Sequence, residues 1–115
     1  MDLVEISQKA GSVPVTVFRL KDRVNLGNYA ELEQTAKEAH QNGMRDLVID
    51  LSETPSLTSI GVRALVLIHK MLATDGGKHL KLAGAIPYIR DMLDVAGVTQ
   101  YIEIYDTVDE AVASF

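Results

Sequence analysis

Ser59 is the side chain whose type and setting best suit a chemical event. It stands in the run Thr58-Ser59-Ile60-Gly61, after the polar connector Ser52-Glu53-Thr54-Pro55-Ser56-Leu57 and at the head of a long apolar helical pattern. A hydroxyl at a helix start lies among free amide protons and at the positive end of the helix dipole, where an anion is tolerated. A phosphoryl group on Ser59 would add roughly 1.5 to 2 negative charges and strong acceptor oxygens. A partner docked there through apolar contacts or carboxylates would then be repelled. The pattern has a second reading, because serine and threonine are favoured N-caps and either Thr58 or Ser59 could simply cap the helix. Arg63, one turn on, is placed to pair with a phosphate or a partner's acid, or to remain solvated.

The other reactive side chains do not converge. His40, His69 and His79 are far apart and share no metal-binding spacing. They are expected at the surface or partly buried, with no metal site. Asp50 ends an apolar run, but no base, nucleophile or ligand set accompanies it, so it reads as a strand-end residue bonding local backbone. Gly76-Gly77 is followed by no lysine-serine or lysine-threonine pair in P-loop register, so it reads as a helix stop. The chain contains no cysteine, which removes disulfides, thiolate nucleophiles and thiolate zinc sites. Met44, Met71 and Met92 fit core or near-core positions. The chain is expected to be a binding module without a cofactor, not an enzyme.

The elements that position Ser59 can be read in order. Leu3 to Lys9 and Val13 to Leu20 flank the turn signal Gly11-Ser12 and predict an antiparallel hairpin. Pro14 has no amide proton, which places that end at an edge or outside the ladder. Val13, Val15 and Val17 share one face, and Thr16, Phe18 and Leu20 the other, so this strand is expected to be covered on both sides. Asn28 with Glu31 reads as a capping box. Tyr29, Leu32, Ala36 and Ala39 follow at helical spacing, with Glu33 and Lys37 as a surface pair, until Gly43 ends the helix. Asp46 to Leu51 is almost wholly apolar, as expected of a strand covered on both faces.

Ser59 to Thr74 is the next helix, closed by Gly76-Gly77. At 100° per residue, Arg63, Lys70 and Thr74 face solvent, while Ala64, Leu65, Ile68, Met71 and Leu72 face the core. Gly61 falls within that core face, where it is expected to let the first turn approach the sheet. Val62, Val66 and Ala73 form a flanking stripe with His69 beside it. His79 to Ala83 is a short strand. Pro87 opens a helix whose apolar face is Ile86, Ile89, Leu93 and Ala96, with Gly97 as its stop and Val98 packing back. Tyr101 to Tyr105 is a last strand, with Ile102 and Ile104 on one face. Thr107 with Glu110 begins a terminal helix carrying Val108, Ala111, Val112 and Phe115.

The order ββαβαβαβα predicts an α/β fold with a mixed, mostly parallel sheet and an opening β-hairpin. The 115 residues fit one domain, 1–115, and nearly half are hydrophobic, enough for a core. A formal net charge of −5 argues against nucleic acid and acidic membrane surfaces as partners. The stretch Met1-Asp2-Leu3-Val4-Glu5 lacks the pattern of a secretory signal, and no apolar run is long enough to span a bilayer. A cytoplasmic location without membrane insertion is the expectation.

Asp50-Leu51-Ser52, a short loop and then Thr58-Ser59-Ile60-Gly61 before an apolar helix resemble the STAS domain, the family of the bacterial anti-sigma-factor antagonists. The resemblance covers nearly the whole chain, and Val24-Asn25-Leu26-Gly27-Asn28 falls where the family turns into its first helix. It implies that Ser59 is phosphorylated by an anti-sigma factor that is itself a serine kinase. The unphosphorylated protein would bind that kinase and so release a sigma factor, and phosphorylation would end the binding. It implies a contact surface of Thr58, Ser59, Ile60, Gly61, Val62, Arg63 and Val66, together with the loop from Ser52. The family usually carries Asp-Ser-Ser-Gly or Asp-Ser-Thr-Gly, whereas here Thr58 replaces the acid and Ile60 the second hydroxyl. The resemblance therefore also admits an unphosphorylated STAS accessory subunit of a transport or signalling complex.

Overall fold

The computed structural model describes residues 3–115; Met1 and Asp2, which begin the amino-terminal stretch read above for a signal, lie outside them. Five strands form one sheet in the spatial order β1-β2-β3-β4-β5. The strands are β1 (Val4–Ala10), β2 (Pro14–Leu20), β3 (Leu47–Asp50), β4 (Leu80–Ala83) and β5 (Glu103–Tyr105). The helices are α1 (Tyr29–Gln41), α2 (Ser59–Leu72), α3 (Pro87–Val95) and α4 (Val108–Ala113). β1 runs antiparallel to β2, and every later pairing is parallel. Fold class, element order and sheet type are those the sequence predicts.

Each parallel step moves the sheet in the same direction. Right-handed crossovers then place α1, α2 and α3 on one face. That face holds the main core. Phe18, Leu20, Leu47, Ile49, Leu80 and Leu82 of the strands meet Leu32, Ala36, Ala64, Leu65, Ile68, Leu72, Ile89 and Leu93 of the helices. The other face is covered by α4 alone, where Ala111 and Val112 pack on Val15, Val17, Val48 and Ala83. This two-sided cover explains the continuous apolar run in β3 and the two apolar faces of β2.

Several local expectations give way to longer-range bonds. The Asn28–Glu31 capping box does not form: Glu31 Oε2 instead accepts from the Leu3 amide (2.7 Å). The Asn28 side chain turns back, donating to Arg23 O (2.8 Å) and accepting from the Asn25 amide (2.9 Å). Glu33 and Lys37 do not pair; they flank a shallow groove between α1 and α2. Ile86 and Ala96 are exposed, because Ile86 precedes the first helical residue of α3 and Ala96 follows the last. Met92 takes their place beside the core. Before β5 the chain makes a short 3-10 turn, Val98–Gln100, which delays that strand to Glu103 and buries Val98.

Candidate functional site

The corner around Ser59 is built from a strand end, a connector and a helix start. β3 ends at Asp50, whose Oδ1 accepts the Ser52 amide (3.0 Å) and turns the chain. The expected local backbone role of Asp50 is the one observed. Thr54 is buried, and its hydroxyl donates to Leu20 O (3.3 Å), which pins the middle of the connector to the end of β2. Leu57 then forms a one-residue parallel bridge with Val24, the residue after the β2 turn. The Val24 amide donates to Ser56 O (3.3 Å), and the Thr58 amide donates to Val24 O (3.1 Å).

This bridge decides which hydroxyl caps α2. Thr58 is the N-cap, in extended conformation, and its Oγ1 accepts from the Gly61 amide (3.4 Å) while donating to Val24 O (3.2 Å). Ser59 is the first helical residue and is exposed. Among the described residues its hydroxyl has no hydrogen-bond partner. Of the two hydroxyls that the sequence offered as caps, Thr58 takes the role and Ser59 does not.

Gly61 is buried, as expected, but its close neighbours are the bridge residues and not the sheet. A side chain there would begin 2.6 Å from Leu57 Cδ1 and 3.1 Å from Val24 Cβ. Those separations are below ordinary van der Waals contact, so a larger residue would force the Leu57 methyl aside and crowd Val24. Gly61 therefore fixes the height at which Ser59 stands.

The other residues expected in the contact surface separate into two flanks. Ile60 and Arg63 lie with Leu67 along the α1 side, where Tyr29 and Glu33 complete a depression of about 220 Å³. Val62 and Val66 are half-buried against the core. They share a helical stripe with His69, whose ring lies 5.3 Å from that of Tyr101. Arg63 is exposed and makes no ion pair among the described residues. Ser59 sits at the apex between the flanks. Sequence reasoning included Leu57 through the loop from Ser52 but missed Val24, Tyr29 and Leu67 as parts of this corner. The signal for Val24 was the turn sequence that follows it; Tyr29 and Leu67 carried no signal beyond apolar spacing.

The histidines are separate, as expected. His40 Nδ1 lies 2.9 Å from Met44 O. His69 has its pKa lowered by burial, and by nearby Lys78 and Lys70. His79 is held between Asp46 (2.7 Å) and Asp75 (2.9 Å), and hydrogen bonds to those two carboxylates raise its pKa. No helix among the described residues is long and apolar enough to cross a membrane.

Comparison with known proteins agrees with this geometry. The family described as the STAS domain matches residues 6–111. A candidate anti-sigma factor antagonist, BtrV of Bordetella bronchiseptica, is 27% identical over 96 residues, covering 84% of this chain and 82% of its own. An anti-sigma-factor antagonist (STAS) domain protein from Planctomyces limnophilus has the same fold, with a TM-score of 0.84 at 23% identity over 99% of this chain and 98% of its own. The Bacillus cell fate determinant SpoIIAA, solved in its phosphorylated form, matches with a TM-score of 0.69 at 15% identity, over 96% and 98% of the two chains.

Proposed function

The chain belongs to the STAS domain family, and from that premise we propose that it is an anti-sigma-factor antagonist whose docking is switched off by phosphorylation of Ser59. The partner is an anti-sigma factor with serine-kinase activity, met in the cytoplasm. The observation that carries the reading is the division of labour at the start of α2. Thr58 does the capping, so the Ser59 hydroxyl is exposed and uncommitted.

The docking surface is the apex with its flanks: Thr58, Ser59, Ile60, Gly61, Val62, Arg63 and Val66. Unmodified, it offers a small neutral hydroxyl, which costs a partner far less to cover than a charge would. A phosphate at the same point is stabilised by the helix start in the free protein. Covering it with an apolar or acidic partner surface would strip or oppose a charge of roughly −1.5 to −2. The charge is therefore tolerated in the free protein and excluded from the complex.

The test is incubation of the wild-type chain and Ser59→Ala with the cognate kinase and ATP, read by intact mass. One phosphate on the wild type and none on Ser59→Ala is expected, together with weaker capture of the kinase by Ser59→Asp. An unmodified wild type would remove the switch. A second reading has its own support: Thr58 is committed to the cap, and Ile60 puts an apolar side chain where the family usually has a hydroxyl. Under it the same corner docks without modification in a transport or signalling complex. Co-purification separates the two, since a membrane transport complex supports the second and a soluble ATPase the first.

A further inference from the structure

We propose that β1 is a homodimerisation edge, pairing antiparallel with β1 of a second copy about a two-fold axis at Ser7. β1 and β5 are the two edges of the sheet, and they are finished differently. β5 has three residues, whereas β1 has seven, without bulge or proline, and is exposed from Glu5 to Ala10. A long regular edge is a template for another strand unless something blunts it.

The register of the hairpin shows which groups are available. Val4 opposes Leu20 and Ala10 opposes Pro14. One step beyond, the Lys21 amide donates to Leu3 O (2.8 Å), and at the other end the Gly11 amide donates to Val13 O (3.2 Å). In an antiparallel ladder hydrogen-bonded residues alternate. Leu3, Glu5, Ser7 and Lys9 therefore bond to β2, while Val4, Ile6, Gln8 and Ala10 direct their amides and carbonyls outward.

The sequence of β1 is self-complementary in one antiparallel register. Placing Ser7 opposite Ser7 of the second copy sets Ile6 against Gln8 and Val4 against Ala10, so every outward group of the strand finds a partner. The same register sets Glu5 against Lys9 of the second copy, twice. These are non-hydrogen-bonded pairs, in which opposed side chains come closest. Shifting to the next hydrogen-bonded register on either side, with Ile6 or Gln8 at the axis, loses both charge pairs. Lys9 is exposed and pairs with no carboxylate among the described residues, whereas Glu5 already meets Arg19 and Lys21. Ile6, half-exposed in the monomer, would meet its symmetry mate on the diagonal.

One strand pair is a small interface, so the dimer is weak and concentration-dependent. β1 lies two strands from β3, whose connector leads to Ser59. Pairing at β1 therefore leaves Ser59 open and would present two such corners in one assembly.

The chain has no cysteine, which makes a thiol probe clean. Cα atoms of a non-hydrogen-bonded pair lie about 4.5 Å apart, within disulfide range. Under mild oxidant Ser7→Cys should form a covalent dimer, while Lys9→Cys, which faces Glu5 of the second copy, should not. In sedimentation equilibrium the wild type should tend to twice the monomer mass as concentration rises. Lys9→Glu should raise the dissociation constant about tenfold by opposing like charges twice. Gln8→Pro, which removes an amide unused by the monomer, should sediment as a monomer with unchanged far-UV circular dichroism. A wild type that stays monomeric up to about 1 mM would overturn the proposal. So would equal cross-linking at positions 7 and 9, or a folded Gln8→Pro variant that still dimerises. Should Gln8→Pro fail to fold, the cysteine pair decides.

Discussion

The two ends of α2 are fastened by different physics. At its start, the corner of Thr58 and Gly61 is held by neutral hydrogen bonds to Val24 and by close packing on Leu57. Beyond its end, the turn at Asp75 is held by His79, which also reaches Asp46 at the foot of β3. The start carries no fixed ion pair and leaves a hydroxyl uncommitted. The far end is a charged clamp with every partner engaged. Under the proposed phosphoswitch, a charge arriving at Ser59 has no ion pair to break there, and the exposed Arg63 is free to meet it.

The comparison can be broken most severely at Gly61. Gly61→Val should destabilise the protein by about 2 kcal/mol or more, because overpacking against Leu57 and Val24 outweighs the helix propensity gained. The measurement is the urea midpoint, with partner capture falling in parallel as the corner moves. Thr58→Ala should cost about 1 kcal/mol, the usual loss of an N-cap. Ser59→Ala, measured beside it, should stay within about 0.5 kcal/mol, since it removes no intramolecular bond. Equal losses at the two positions would mean that the hydroxyls share the capping role.

The smallest effect, and the one that sharpens the contrast, is with pH. The pKa of His79 is raised in the folded state. Its contribution is therefore fully present below the ordinary histidine value of 6.5 and is lost as pH rises through the raised value. Asp75 is shifted down, chiefly by the Gly77 amide and then by His79, so its part is present above the usual carboxylate range and fades as pH falls through the lowered value. A urea-midpoint profile across this range should flatten in His79→Gln, whereas in Thr58→Ala it should keep its shape at a uniformly lower midpoint.

Most of the architecture was legible because it is written in local patterns. Two β-rich runs about Gly11-Ser12 became the hairpin, the run at Leu47 became a doubly covered strand, and the helical angles from Ile60 correctly separated Arg63 from Ile68. What escaped depended on bonds between distant residues. Thr58 and Ser59 are indistinguishable as caps until Val24, 34 residues away, supplies its carbonyl. Glu31 has the right spacing for a capping box, yet the amide of Leu3, 28 residues away, claims it. The clamp on His79 depends on Asp46, which is 33 residues distant and becomes its neighbour only when β3 and β4 pair. Ile86 was misplaced for a different reason: it fits the apolar spacing of α3 but falls before the first helical residue.

The agreement between strand order in space and strand order along the chain bears on how the molecule is made. Thr16 pairs with Leu47, Leu47 with Leu80 and Lys81 with Glu103, so the separations are 47 − 16 = 31, 80 − 47 = 33 and 103 − 81 = 22 residues. No strand has to be inserted between two that are already paired. Loop-closure entropy is met in similar instalments, one crossover at a time. As the chain leaves a ribosome, each strand can join the edge its predecessor has just opened, and the connecting helix closes over that seam.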